Sequence, residues 1–281
     1  MTSQEKKQLR ITACKVRMGI IEGTHAAKCG HPGGSMSAAD MFTYLYFKEL
    51  NVDPKNPKWE NRDRFVLSKG HTAPGLYAAL AHRGFFPVED LKTLRKLGSY
   101  LQGHPNMNTV PGVDMSTGSL GQGISTACGM ALAAKLKNTG NRVYTLLGDG
   151  EIQEGQVWEA CMFASHYKLD NLCVIVDNNG LQIDGEVAKV MSPYPITDKL
   201  EAFGFHVTAI DGHDFDQIEA ALEEAKTIKG RPSAIVMKTV KGKDVSFMEN
   251  LASWHGVAPN KEQYEQAMAE LNKKLNELEG N

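Results

Sequence analysis

In "LLGDGEIQEGQVWEA", residues 146–160, an aspartate stands between two glycines at the end of an apolar run. Two glutamates, Glu151 and Glu154, follow where a helix is expected to begin. Helix N-termini and the glycine turns before them attract anions, phosphate above all. Carboxylates in such a place therefore call for an explanation. A second polar cluster, Asp177, Asn178 and Asn179 in "VIVDNNGLQIDG", leaves the next apolar run. A carboxylate and an amide oxygen are hard ligands that suit Mg²⁺ or Ca²⁺, not zinc. Mg²⁺ takes few protein ligands and completes its octahedron with water and substrate phosphates. Asp149 and Asn179 thus predict a cation that carries a diphosphate, and Gly148 and Gly150 allow close backbone approach. The plainer reading, a helix-capping Asp and an ordinary Asn-rich turn, stays open from these residues alone. Competing phosphate motifs fit worse: there is no G-x-x-x-x-G-K-[ST], and "GDGEIQEG" and "GSLGQG" both miss G-x-G-x-x-G.

Four of the nine histidines stand in glycine-flanked loops: His31 in "GHPG", His71 in "KGHTA", His104 in "GHPN" and His255 in "WHG". Imidazoles titrate near neutrality and can donate to hydroxyls or shuttle protons. His213 in "DGHD" also follows a strand-like run but has no assigned role. His25, His82, His166 and His206 lie within element-like stretches and read as structural.

Placing these residues together requires a particular scaffold. A helix is expected over most of Thr2–Lys28, with a second one capped by Ser37 and running to about Glu49. "RFVLS", "RVYTLL", "NLCVIVD", "FGFHVTAID" and "SAIVMKTV" read as strands, with helices over 73–83, 122–138, 154–168 and 215–228. Residues 88–97 and the tail 260–279 also read as helical. The strands are continuously apolar, as parallel strands buried on both faces are. The expected fold class is α/β, a doubly wound, mainly parallel sheet with helices on both faces. Ligands of such sheets bind at the carboxyl ends of the strands. If the strands before Asp149 and Asn179 are neighbours, they lie about 4.8 Å apart. Trp158, Met162 and Phe163 are expected in the helix–sheet core, and the lysines of "KGKD" either cap a loop or are solvated.

The 281 residues are 42% hydrophobic and 23% charged, with a formal net charge of −2. That is ordinary for a soluble globular chain folding as a single unit over 1–281. No basic excess points to nucleic acid or an anionic membrane. No apolar run reaches membrane-spanning length, and the N-terminus has no secretory h-region. Five scattered cysteines without C-x-x-C spacing suit a reducing, cytoplasmic setting.

The spacing of G-D-G at 148–150 and N-N at 178–179 resembles the thiamine diphosphate motif. "CGHPGG", "DRFVLSKGH", "TGSLGQG", "GDGEIQEGQVWEA", "DNNGLQIDG" and "KGKD…WHG" occur in the order of the N-terminal half of transketolase. The resemblance spans nearly all of residues 10–256. It implies a thiamine diphosphate-binding fold in which Asp149, Asn179 and the carbonyl of Leu181 hold Mg²⁺, with Ca²⁺ or Mn²⁺ as substitutes. It implies Gly150 and His71 at the diphosphate, Gly118, Ser119 and Leu120 at the aminopyrimidine, and Ile183 against the cofactor. His31, His71, His104 and His255 would surround the thiazolium and the first carbons of a sugar. Glu154 is either a first-turn helix glutamate or a residue of the contact between subunits, facing a glutamate of a partner domain.

In that family a second, pyrimidine-binding domain supplies the activating carboxylate, aromatic stacking and the residues for the sugar's terminal phosphate. After residue 256 this chain offers a helical tail only. The resemblance therefore implies the N-terminal subunit of a split transketolase, working with a separate C-terminal subunit in an α2β2 assembly. Its reaction is ketol transfer from a ketose phosphate to an aldose phosphate, as in the pentose phosphate pathway. The alternatives are a subunit of a deoxyxylulose-phosphate synthase or 2-oxo acid dehydrogenase, or a non-catalytic fragment.

Overall fold

The computed structural model describes residues 1–280. The chain opens with α1 (Ser3–Ala27), α2 (Pro32–Ser37) and α3 (Ala39–Tyr44), the last running into a π-helical turn to Glu49. The second helical region therefore starts at Pro32, and Ser37 ends a helix instead of capping one. Proline at the first helical position explains the early start, because its missing N–H is not needed there. β1 (Arg64–Leu67) and α4 (Ala73–Arg83) follow, with only a 3-10 turn over Val88–Thr93 in place of the longer helix that the residues suggest. After the long glycine- and proline-rich loop come α5 (Gln122–Lys137), β2 (Val143–Gly148), α6 (Gly155–His166) and β3 (Leu172–Asn178). A two-stranded hairpin, β4 (Leu181–Gln182) and β5 (Gly185–Glu186), and the short helices α7 (Val187–Val190) and α8 (Ile196–Ala202) add to the expected elements. The chain ends with β6 (His206–Asp211), α9 (Phe215–Thr227), β7 (Ser233–Lys238) and α10 (Lys261–Glu279).

Five strands form one parallel sheet in the order β1-β2-β3-β7-β6. Alternate residues of the same strands feed two separate cores. Phe65, Leu67, Tyr144, Leu146, Cys173, Ile175, Ile235 and Met237 pack with α1, α3, α4 and α9. Val66, Val143, Leu147, Leu172, Val174, Val176, Ala234 and Val236 pack with α5, α6 and α8. This two-sided burial is why the strands read as unbroken apolar runs. Each such side chain contributes about 1.5–3 kcal/mol on burial. Strand β6, at the sheet edge, is only partly covered. Met162 and Phe163 depart from expectation: they are 56% and 37% exposed on the outer face of α6. Helical spacing cannot tell which apolar side chains turn to the sheet, and here Val157, Ala160, Cys161 and Ala164 do. Trp158 is half-buried against Phe203.

All five cysteines are free. Burial pushes the Cys14 thiol up to about 11 and those of Cys128, Cys161 and Cys173 up to about 12. Cys29 is half-buried. Among the described residues, no helix is long and apolar enough to cross a membrane.

Candidate functional site at the carboxyl edge of the sheet

Strands β2 and β3 are hydrogen-bonded neighbours, with Gly148 opposite Asp177. Their loops consequently leave the sheet side by side. The Asp149 carboxylate, 2% exposed, accepts from the Gly150 N–H at 2.9 Å and from the Gly180 N–H at 2.5 Å. The second bond draws the 178–181 turn onto Asp149. Asn179 donates through Nδ2 to Asp177 at 3.2 Å, and its Oδ1 accepts from the Leu181 N–H at 3.1 Å. Burial, and then the nearby Asp177, push the Asp149 carboxyl up to about 6. A carboxylate held at that cost in a cavity is a candidate for a cation partner.

Asp177 is a second, deeper carboxylate, and nothing in its sequence surroundings assigns it to the site. It is fully buried and accepts from Ser37, Lys69 and Thr239, which arrive from α2, the end of β1 and the end of β7. Burial opposes its ionisation, yet the Lys69 ammonium and the hydroxyls hold its carboxyl below the usual range. Glu151 is a third. Its Oε1 accepts from Ser68 Oγ at 2.5 Å and the Gly121 N–H at 2.9 Å, and its Oε2 from the Gly148 N–H at 3.0 Å. Glu151 thereby ties the ends of β1 and β2 to the start of α5. Burial still leaves its carboxyl above the ordinary value.

These elements enclose a cavity of about 240 Å³ lined by Lys69, His71, Leu120, Asp149, Gly150, Glu154, Asn179, Leu181, Ile183, Lys241 and His255, among others. Ile183 stands at its rim on the β4–β5 hairpin, 66% exposed. Lys241 corrects the expectation for "KGKD": it is 2% exposed, and its ammonium donates to the Leu181 carbonyl at 3.1 Å. It also lies 3.2 Å from His255 Nδ1. Burial, and then the Lys69 charge, lower its amine to about 8.

The imidazoles of His31, His71 and His255 form one cluster, with ring centroids 5.1–5.4 Å apart. Burial, reinforced by neighbouring cations, lowers His31 to about 4, His255 to about 3 and His71 well below the ordinary value. These rings are neutral at physiological pH and can both donate and accept. The Nδ1 of His31 is buried without a protein partner. His104 stands beside Gly118: a Cβ there would come 3.3 Å from its ring. Gly118 in turn lies so close to Gly70 that a Cβ at Gly70 would meet the Gly118 nitrogen at 2.8 Å. Gly118 and Ser119 line an adjoining cavity with Met115 and Thr126, while Leu120 faces the first.

Glu154 is the N-cap residue of α6, makes no capping bond with its side chain, and lines the cavity. Its first-turn reading shifts by one position. His213 lies outside the cavity, its ring bonded to Asp40 and to the Val240 N–H. His25 and His82 bond backbone carbonyls and His206 approaches Glu224, contacts that fit structural roles.

The residues of the metal set supply oxygens only: a carboxylate, an amide Oδ1 and a carbonyl. Among the described residues no three His, Cys, Asp or Glu gather to hold a metal. One carboxylate with neutral oxygens suits a hard ion that shares its charge with phosphate. The Leu181 carbonyl, already taking a hydrogen bond from the Lys241 ammonium, is turned to accept positive charge.

Residues 9–276 match the family described as "Transketolase, thiamine diphosphate binding domain". A 6-deoxy-6-sulfo-D-fructose transketolase subunit of Clostridium sp. (strain MSTE9) is 46% identical over 271 residues, covering 96% of this chain and 98% of that one. One of the two subunits of the apulose-4-phosphate transketolase of Phocaeicola vulgatus is 41% identical, covering 96% of each chain. The crystal structure of transketolase from Campylobacter jejuni superposes with a TM-score of 0.89 at 37% identity, over 97% of this chain and 43% of that one. The chain thus spans less than half of the full-length transketolase and nearly all of the two separate subunits. These relatives fit a transketolase subunit, not a deoxyxylulose-phosphate synthase or a 2-oxo acid dehydrogenase subunit. The chain belongs to the transketolase family, as the N-terminal, thiamine diphosphate-binding unit of the kind that split transketolases make separately.

Proposed function

We propose that this chain binds thiamine diphosphate and a divalent cation and is completed by a separate chain bearing the pyrimidine-binding domain. The observation that carries the reading is the in-register pairing of β2 with β3, which puts Asp149 and the Asn179–Leu181 turn at one point. Asp149, Asn179 Oδ1 and the Leu181 carbonyl hold the ion, Mg²⁺ in the first instance, with Ca²⁺ or Mn²⁺ able to replace it. His71, Gly150 and Lys241 face the diphosphate. Gly118, Ser119 and Leu120 line the aminopyrimidine, and Ile183 closes over the cofactor. When bound, the cofactor supplies a nucleophilic carbon and an electron sink. His31, His104 and His255 meet the hydroxyls at the first carbons of a ketose phosphate. As neutral imidazoles they can accept a hydroxyl proton and return it. Glu154 sits at the contact with the partner domain.

The reaction is transfer of a two-carbon ketol unit from a ketose phosphate to an aldose phosphate, of the pentose phosphate type, in an α2β2 assembly. A cytoplasmic setting is supported by five free cysteines. The residues that read the sugar's far end belong to the partner. The test mixes the purified chain with its cognate second chain, Mg²⁺, thiamine diphosphate and a panel of ketose phosphates with ribose 5-phosphate. Turnover is expected from the pair and none from either chain alone. Full turnover by this chain alone refutes the split, and pyruvate consumption by the pair refutes the sugar assignment.

A further inference from the structure

The geometry points to His213 as a positioning residue for Lys241, outside the cavity and acting through the backbone of Val240. This rests on the diphosphate-facing role of Lys241 proposed above. The His213 ring bridges two elements. Its Nε2 accepts from the Val240 N–H at 2.9 Å, so the ring proton sits on Nδ1, which donates to Asp40 Oδ2 at 2.7 Å. The tautomer is set by these two partners together. Val240 directly precedes Lys241 and follows the last residues of β7.

Asp40 is itself fixed. Both of its oxygens take bonds from the guanidinium of Arg17 on α1, at 3.1 and 2.6 Å. The same guanidinium pairs through Nε with Asp244 at 3.3 Å, three residues past Lys241. Arg17, Asp40 and Asp244 are all nearly excluded from solvent. One buried cluster therefore grips the Val240–Asp244 segment at both ends, with His213 as the grip on its leading end. Between the two grips the Lys241 side chain turns the other way, to the Leu181 carbonyl and His255. A long, flexible ammonium aimed at a phosphate site gains precision from a fixed backbone on either side. Without the imidazole acceptor, the Val240 N–H loses its partner at the position that aims Lys241.

The test is a double-mutant cycle read by calorimetry: thiamine diphosphate titrated, in excess MgCl₂, into the chain assembled with its partner. His213→Asn keeps a donor toward Asp40 but falls short of Val240, and should weaken binding about tenfold. His213→Gln can reach the Val240 N–H with its amide oxygen and should bind within about threefold of the unmodified chain. In a Lys241→Ala background the His213→Asn change should alter affinity by less than about twofold, because the residue it acts through is gone. Hydrogen exchange at the Val240 amide should quicken in His213→Asn while Ile235 in β7 stays protected.

Unchanged affinity or unchanged Val240 exchange in His213→Asn overturns the inference. So does an equal loss with and without Lys241, the mark of general loosening. If His213→Asn does not fold, His213→Gln decides, and a tenfold loss in the folded Gln variant overturns it. Failure of the unmodified pair to bind the cofactor at all refutes the functional reading instead.

Discussion

Replacing Lys69 by Met would strip the Asp177 carboxylate of its ammonium while keeping most of the side chain's volume. Lys69 is 2% exposed and Asp177 fully buried, so water cannot take over. Removing one partner of a buried ion pair costs about 3–5 kcal/mol. Here the ceiling can be worked out. Asp177 can escape its charge by binding a proton, and from an ordinary value of 3.8 that costs about 4 kcal/mol at pH 7. The Ser37 and Thr239 hydroxyls still donate to the carboxylate and bring the expected loss to about 3 kcal/mol.

The sign of the pH dependence follows. In the unmodified chain the Asp177 carboxyl is held below its ordinary value, and that contribution is present above the unfolded value and lost on acidification. In Lys69→Met the folded carboxyl is raised instead, so its penalty is largest near neutrality and fades as pH falls toward 4. Urea unfolding at pH 7.5 and 5 measures both effects. Adding Asp177→Asn to Lys69→Met removes the orphaned charge and should recover more than half of the loss. A loss below about 1 kcal/mol at pH 7.5, or one that grows on acidification, refutes the view of Asp177 as a charge held by Lys69.

Asp149→Asn should abolish the stabilisation that Mg²⁺ and thiamine diphosphate together give, read as a melting-temperature shift. Because the Asp149 carboxyl is pushed up to about 6, the metal-free chain gains stability from it below pH 4 and loses it as pH rises through 6. The Asn variant should flatten that part of the profile in metal-free denaturation. Glu151→Ala leaves the Gly121 and Gly148 N–H groups and Ser68 without their acceptor, and should cost about 3 kcal/mol by urea unfolding. Gly242→Ala forces a side chain onto a backbone with φ of 76° and sets its Cβ 2.4 Å from the Met248 carbonyl. A loss of about 2 kcal/mol or more and weaker cofactor binding are expected, by melting and calorimetry.

The sheet was legible because its five strands carry unbroken apolar runs, and a parallel sheet covered on both faces demands them. The histidine cluster and the Asp149–Asn179 meeting were legible because glycine-flanked motifs sat at strand ends. What escaped was long-range pairing. Nothing local in "SKGH" says that Lys69 meets Asp177, 108 positions on. Lys241 reads as a loop lysine because burial of an ammonium depends on the fold around it, not on its neighbours in the chain. The outward turn of Met162 and Phe163 escaped for the same reason, since periodicity gives a face but not what that face meets.

Four of the five sulfhydryls are sealed in the two cores, with their protons held too tightly for thiolate chemistry near neutrality, and only Cys29 is half-accessible. The native chain should therefore take up one equivalent of an alkylating reagent quickly and the remainder at the pace of unfolding. A mass spectrum of labelled protein then becomes a clock for opening of both layers, since Cys14 and Cys173 report one core and Cys128 and Cys161 the other.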